Sequence, residues 1–481
     1  MSLYPIAMLL PLLTLVALFT RGLRAALLVS AAALPLRTVA PIVAGSMNVL
    51  VEHICFSIVF SVLFYQWLRH RPGAGRMKVE LETFLLSAIC GYAVVSAFIF
   101  PRIFNGIMVF SVSNSGIGGV KYSNNIRGTF LYELTPTSGN VSQTAFLIFS
   151  TLVFVLLLSF GRRYGYQFLH RIVCIAGIVH IGFGMADILG FDSLIGLMRT
   201  ASYKINDSHN VMGFDRTIGM MSEASRYGIF GGAIFAYFFA LWLIQGGRNE
   251  GRFAALALFT DLSSLSTSAF VSIGGTFFLI AARFLLTGKL RRGSAQRTIW
   301  LVGVGVIGFG ILLVTTPLGS VLASATDALV FNKVDSESGL IRAATSYQSL
   351  LTLRETWFLG AGSGSVVSNG LVLVWLGNIG VPGAVMFLTL FWLFMRGGPR
   401  LRGQSSEAYA QWFAATTAVG TLFISEGVSR TILDPGLSIM LYGALAVAAR
   451  RPIFVRFSSP DTGSLSGRRY HLYARNALRR S

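Results

Sequence analysis

Uninterrupted apolar stretches recur along the chain, near 3–19, 25–36, 47–68, 83–100, 143–160, 172–190, 218–244, 253–264, 267–286, 299–316, 370–395, 409–424 and 437–449. Most are long enough to cross or nearly cross a hydrocarbon core of about 30 Å. The pattern predicts an all-α, polytopic integral membrane protein with about 13 transmembrane helices, within a range of about 12–14. The runs at 25–36, 253–264 and 437–449 are the shortest.

The polar intervals between these runs are of two kinds. Those at 20–24, 69–82, 161–171, 245–252, 283–298, 396–408 and 450–481 fall on one side of an alternating topology and hold most of the 39 Lys and Arg residues. Positive charge is retained in the cytoplasm, which assigns that side. The N terminus is then periplasmic and the C terminus cytoplasmic. The opposite face receives three long loops, near 101–142, 191–217 and 317–369, and the short turn 425–436. The first apolar run has no basic n-region and no small-residue cleavage site, so it reads as a helix and not a removable signal.

Composition supports this picture and narrows the function. Hydrophobic residues are 54% and charged residues 12% of 481, with mean hydropathy +0.67, which excludes an ordinary soluble domain. The formal charge of +20 follows from the topology and from the basic tail, which would lie on anionic headgroups or be disordered. It gives no support to nucleic-acid binding. The chain divides into a membrane domain, 1–452, and a basic cytoplasmic tail, 453–481. Cys55, Cys90 and Cys174 lie in apolar runs without paired spacing, so neither disulfides nor a zinc site is expected.

Chemistry is sought on the loop face. The segment 101–142 is rich in Ser, Asn, Gly and Thr and reads as a solvated hairpin or linker. In "DRTIGMMSEASRYGIF", 215–230, a helix over 216–227 would set Arg216, Gly219, Glu223 and Arg226 within a roughly 80° arc. Glu223 and Arg226 are equally compatible with a simple neutralising pair at a helix end. Over 340–358, Leu340, Ala344, Tyr347, Leu351 and Phe358 recur at helical spacing opposite Arg342, Thr345, Ser346, Ser349, Thr352 and Thr356, predicting an amphipathic helix at the outer interface. "GAGSGS", 360–365, either presents amides to phosphate oxygens or is a plain loop-to-helix turn. His53 and His180, inside helices, read as packing partners. Asp335, Glu337, Glu355, Glu426 and Asp434 show no ligand spacing, and neither metal nor cofactor is expected.

The order of "R-x-x-G-x-x-x-E-x-S" at 216–225, "LSSLSTSAFVSI" at 262–273, "S-x-x-x-R" at 338–342, "GAGSGS", and "SNGLVLVWLGNIGVPG" at 368–383 resembles the Wzy-type polysaccharide polymerases and O-antigen ligases, which are GT-C-like membrane glycosyltransferases. The likeness runs from about residue 210 to 395. It implies a metal-independent glycosyltransferase of the bacterial inner membrane that joins undecaprenyl-pyrophosphate-linked repeat units of an exopolysaccharide or O-antigen at the periplasmic face. A flippase and a chain-length regulator would be its partners.

Carried over residue by residue, the resemblance makes Arg216 and Arg342 pyrophosphate clamps and Glu223 the base or aligner of the acceptor hydroxyl. Arg226, Ser225, Ser338, Gly362, Gly364 and Asn369 become substrate-binding candidates. Two departures stand out: "EAS" where many members have "EPS", and Ser368-Asn369 where ligases have His-Asn. The second favours polymerase over ligase. A lipid-linked-oligosaccharide flippase is the alternative from another class, and it would call for repeated halves that the chain does not display.

Overall fold

The apolar runs become helices because a chain without water around it must satisfy each backbone amide and carbonyl within its own segment. The computed structural model describes residues 2–44, 47–69, 80–111, 120–121, 130–203, 215–287, 337–401 and 405–450. All but one of the apolar runs lie largely on helices; the run at 299–316 is outside the described residues. The helices used below are α1 (Leu9–Arg21), α2 (Leu23–Ala31), α3 (Val51–Arg69), α4 (Leu81–Ile103), α5 (Ser138–Tyr164), α6 (Tyr166–Ile188), α7 (Asp192–Met198), α8 (Ala224–Gln245), α9 (Arg248–Ser263), α10 (Thr267–Thr287), α11 (Glu337–Glu355), α12 (Leu371–Met395), α13 (Ser406–Ser429) and α14 (Leu437–Ala449). Among the described residues, 6 helices are long and apolar enough to cross a membrane: α4, α5, α6, α8, α10 and α12. The protein is a largely helical, membrane-embedded chain. Met1–Arg450 form one packed unit, and the basic tail beyond Arg450 lies outside the described residues.

The centre of the packing is α8, enclosed by α9, α10 and α13. Small residues permit the approach. A Cβ on Gly228 would come within 2.7 Å of the Ala269 Cβ, and one on Gly232 within 2.2 Å of the Ser272 Cβ. At its far end α8 stops at Gly246, in the left-handed region at φ 76°, and the chain returns at once as α9. Around this core α5 packs on α4 and α14, while α12 reaches α4, α11 and α13.

Strands make a minor addition to the expected all-α architecture. β1 (Ser2–Leu3), β2 (Ile42–Ala44) and β3 (Met47–Val49) form one antiparallel sheet. β4 (Met108–Val109), β5 (Val120–Lys121) and β6 (Phe130–Glu133) form another, in the order β4-β6-β5. The second sheet gives the segment 101–142 a hairpin character. Elements of two to four residues leave no mark on a hydropathy pattern, which is why neither sheet is visible in the sequence.

α11 forms where the amphipathic helix is expected, and its polar stripe faces protein rather than water. Leu340 is 42% and Tyr347 58% exposed, whereas Thr345, Gln348, Ser349, Thr352 and Thr356 are buried. The inward polar groups are satisfied: Gln348 donates to the Met108 carbonyl (2.7 Å), Ser349 to Leu373 O (2.9 Å) and Thr352 to Gln348 O (2.9 Å). Around a membrane protein the exterior can be apolar, so the stripe that seeks protein partners is the hydroxyl-rich one.

Candidate functional site

One end of the bundle collects the first turn of α8, the last turn of α13 and the turns that follow them. The expected helix over 216–227 is replaced there by a tight turn, and α8 starts only at Ala224, with Glu223 extended at its N-cap (φ −161°, ψ 158°). The cause is local. Asp187 on α6 accepts the Ile218 and Gly219 amides (2.7 and 2.8 Å), Arg199 donates to the Gly219 carbonyl (2.8 Å), and Gly219 takes φ +50°. The common arc of Arg216, Gly219, Glu223 and Arg226 therefore does not exist, although Arg216 and Glu223 remain electrostatic neighbours. Burial lowers the Arg216 pKa, and the Glu223 carboxylate opposes that shift. The Arg216 Nε donates to Ser264 O at 3.2 Å.

Glu223 accepts from the Ser225 hydroxyl and keeps a side chain 42% exposed. Its Oε1 lies 3.7 Å from Arg226 Nε, yet Arg226 makes its closer pair elsewhere, with Glu426 Oε2 at 2.9 Å. Glu426 Oε1 pairs in turn with Arg430 at 2.8 Å. The simple neutralising pair of Glu223 with Arg226 is thus one link of an alternating chain, Glu223–Arg226–Glu426–Arg430. Arg430 also donates to the Asp434 carbonyl. The Asp434 carboxylate accepts from Ser150 (2.9 Å) and from the Gly436 amide (3.1 Å). Burial raises the Asp434 pKa, and Arg430 acts against it.

Arg226, Glu426 and Arg430, with Ser222 and Asp434, line a cavity of about 250 Å³, and Glu223 stands next to it in sequence without lining it. From the N-terminal part of the chain come Arg37, on the turn after α2, and His53, on α3. Arg37 pairs with the buried Glu52, and both Arg430 and Asp434 feel its charge. The His53 Nδ1 accepts the Leu50 amide at 3.2 Å, which makes Nε2–H the donor of the neutral ring. Phe146 stacks on that ring at 5.6 Å and Phe149 meets its edge at 4.8 Å. Three guanidiniums face this walled cavity, each oriented by a carboxylate: Arg37 by Glu52, and Arg226 and Arg430 by Glu426.

The remaining sequence candidates take different places. Arg342, half-buried on α11, does not line the cavity. The path from its helix is a backbone one: Thr345 accepts from Asn369 Nδ2 (2.8 Å), Ser346 donates to Asn369 O (3.3 Å), and Gly370 donates to the Arg430 carbonyl (2.8 Å). Asn369 thus ties α11 to the turn that carries Arg430. Ser338 lies in the first turn of α11, and its side chain is outside the described residues. Gly362 and Gly364 are buried with φ +105° and +76°. A Cβ there would strike Ser96 O at 2.7 Å and Gly139 O at 2.3 Å. The amides of Ala361, Gly362, Ser363 and Val366 all donate inside the protein. "GAGSGS" is a packing knot between α4, α5 and α12, and the amides of Gly360, Ala361, Gly362, Ser363 and Ser365 are taken up by protein.

Arg37, His53, Glu426, Arg430 and Asp434 are not among the sequence-derived site residues. The available signal was the i,i+4 spacing of Glu426 and Arg430 on the loop-face turn, beside Asp434. Compared with known proteins, the chain matches no family model, and no curated sequence matches it.

Proposed function

We propose that the protein is a polysaccharide polymerase of the Wzy type, joining undecaprenyl-pyrophosphate-linked repeat units at the periplasmic face of the bacterial inner membrane. The observation that carries this reading is the arginine-lined cavity placed immediately beside Glu223. Arg226, Arg430 and Arg37 would hold the pyrophosphate of the growing chain, and the His53 Nε2–H would donate to one of its oxygens. The hydroxyl oxygen at the non-reducing end of a new unit then attacks the anomeric carbon. The bond from that carbon to phosphate oxygen breaks, and the undecaprenyl pyrophosphate departs with the electron pair. Glu223, exposed and lightly bonded, takes the hydroxyl proton. Glu426 is unsuited to that task because two arginines already hold both of its oxygens.

In this scheme Arg226 moves from a secondary role to the centre, and Arg216 acts on Glu223. Arg342 and Asn369 govern the site through the turn at Arg430. The cavity's end of the bundle is periplasmic, and the C terminus cytoplasmic. The test is polymer formation from purified lipid-linked repeat units by the chain in nanodiscs, with Arg430→Gln as the control. Polymer from the wild type and none from the variant supports the reading. Transfer to a lipid A core acceptor without polymer would assign a ligase instead.

A further inference from the structure

Beneath the cavity, α6, α8, α9 and α10 enclose a second polar cluster that takes no part in the proposed chemistry. Asp261, on α9, is completely buried, and neither carboxylate oxygen has a hydrogen-bond partner. His180, on α6, is 2% exposed, and its Nε2 is likewise unpartnered. Both face the same short stretch of α8. A Cβ built on Gly231 would lie 2.8 Å from Asp261 Oδ1 and 3.0 Å from His180 Nε2. A Cβ on Gly232 would lie 3.4 Å from Asp261 Oδ2 and 2.8 Å from Ser272 Oγ. The two glycines thus keep open a small space into which a carboxyl and an imidazole both project.

The other polar groups around this space do not neutralise it. Tyr227, one turn earlier on α8, stacks on the His180 ring at 4.1 Å, and its hydroxyl, close to Thr260 and Asp261, makes no well-formed hydrogen bond. Ser272 of α10 already donates to Ser268 O, and Thr260 of α9 to its own helix. Asp187, further along α6, is committed to the amides of the turn at Gly219. No Lys or Arg makes an ion pair with Asp261 among the described residues. Helical rise places Gly231 about 11 Å below the start of α8, within the bundle. An ionised carboxylate at that depth with no counter-charge is far more costly than a protonated one. An intramembrane acid of this kind marks an ion or proton site.

We propose that Asp261 and His180 form an occluded proton-binding site, in which one exchangeable proton is held between the carboxyl oxygen and Nε2, directly or through a water that also reaches the Tyr227 hydroxyl. The protonated acid donates, and the imidazole nitrogen accepts. The shared proton gives one carboxyl oxygen and Nε2 a partner, the bridging water would extend this to the Tyr227 hydroxyl, and no net charge is buried. Loss of the proton would leave a bare carboxylate against Gly231 and Gly232, so release requires water or a cation to enter between α8 and α9. The site is independent of any glycan chemistry and would stand if the protein had another activity.

The test is infrared difference spectroscopy on the full chain in nanodiscs at neutral pH, with sodium chloride and choline chloride compared. A protonated-carboxyl C=O band is expected in the wild type, lost in Asp261→Asn and shifted in His180→Phe. Gly231→Ala, whose methyl would part the two groups, should move the band toward that of an isolated carboxyl. If Asp261→Asn fails to accumulate, the His180→Phe and Gly231→Ala shifts carry the same information with the carboxyl in place. The same band in Asp261→Asn as in the wild type, or a band indifferent to both other variants, would overturn the proposal. So would sodium-dependent thermal stabilisation that Asp261→Asn abolishes, which would assign the site to a sodium ion.

Discussion

Arg226 shares Glu426 with Arg430, and this sharing separates a catalytic arginine from a structural one. Arg226→Gln leaves Glu426 paired with Arg430 alone, while Glu426→Gln leaves two guanidiniums, 24% and 9% exposed, without their common carboxylate. Removing one partner of a well-buried pair costs about 3–5 kcal/mol. Arg226→Gln should cost less, about 1–3 kcal/mol, because Arg430 remains in place. Glu426→Gln should be the more damaging of the two. The double variant Arg226→Gln with Glu426→Gln should recover only the part of the loss in Glu426→Gln that is owed to the unpaired Arg226, since Arg430, the more buried of the two, still lacks its carboxylate. Activity should not follow. If Arg226 clamps the pyrophosphate, its loss removes about 2–4 kcal/mol of transition-state stabilisation, roughly 30- to 1000-fold in rate, with or without Glu426. The assays are thermal unfolding of the solubilised protein and polymer formation from purified lipid-linked units. A double variant that is both stable and fully active would show the arginine to be a packing ion, and the cavity would lose its role.

Three further outcomes are expected. Glu223→Gln, at a 42% exposed side chain whose ion pair with Arg226 is long at 3.7 Å, should leave thermal stability within about 0.5 kcal/mol of wild type and pyrophosphate-lipid binding intact while turnover falls; unchanged turnover would remove Glu223 from the chemistry. Gly364→Ala should lower stability by more than about 1 kcal/mol, from left-handed strain and the collision with Gly139 O, with any protein that folds keeping its affinity for inorganic pyrophosphate; a selective loss of that affinity would restore the phosphate-cradle reading. Single cysteines at Thr135 and Asp192 should react with an impermeant maleimide on intact spheroplasts, and those at Asn249 and Glu407 should not; the reverse pattern would invert the topology.

The helices are legible in the sequence because a membrane demands long apolar runs, and length alone identifies them. The face of α11 is not legible in the same way. Reading amphipathicity as polar-outward assumes water outside, and Leu340 and Tyr347 show that the assumption fails where the surroundings are apolar. The site was half legible. Glu223 and Arg226 are conspicuous as charges beside an apolar run, and Glu426, Arg430 and Asp434 are equally so. Nothing local joins the two groups, because the pair that does, Arg226 with Glu426, spans 200 residues of chain. Arg37 and His53 are more remote still, reaching the cavity from the turn after α2 and from α3, which packs against α5. The turn at Gly219 escaped because its cause is Asp187, on another helix.

The knot at 360–365 also bears on redesign of the protein. Its glycines touch backbone on three sides, so random diversification there would return mostly misfolded chains. The outer face of α11 carries Leu340, Tyr347 and Leu350, each 42–58% exposed. A library confined to those three positions would vary what the surroundings see and leave every buried hydroxyl of the helix in place.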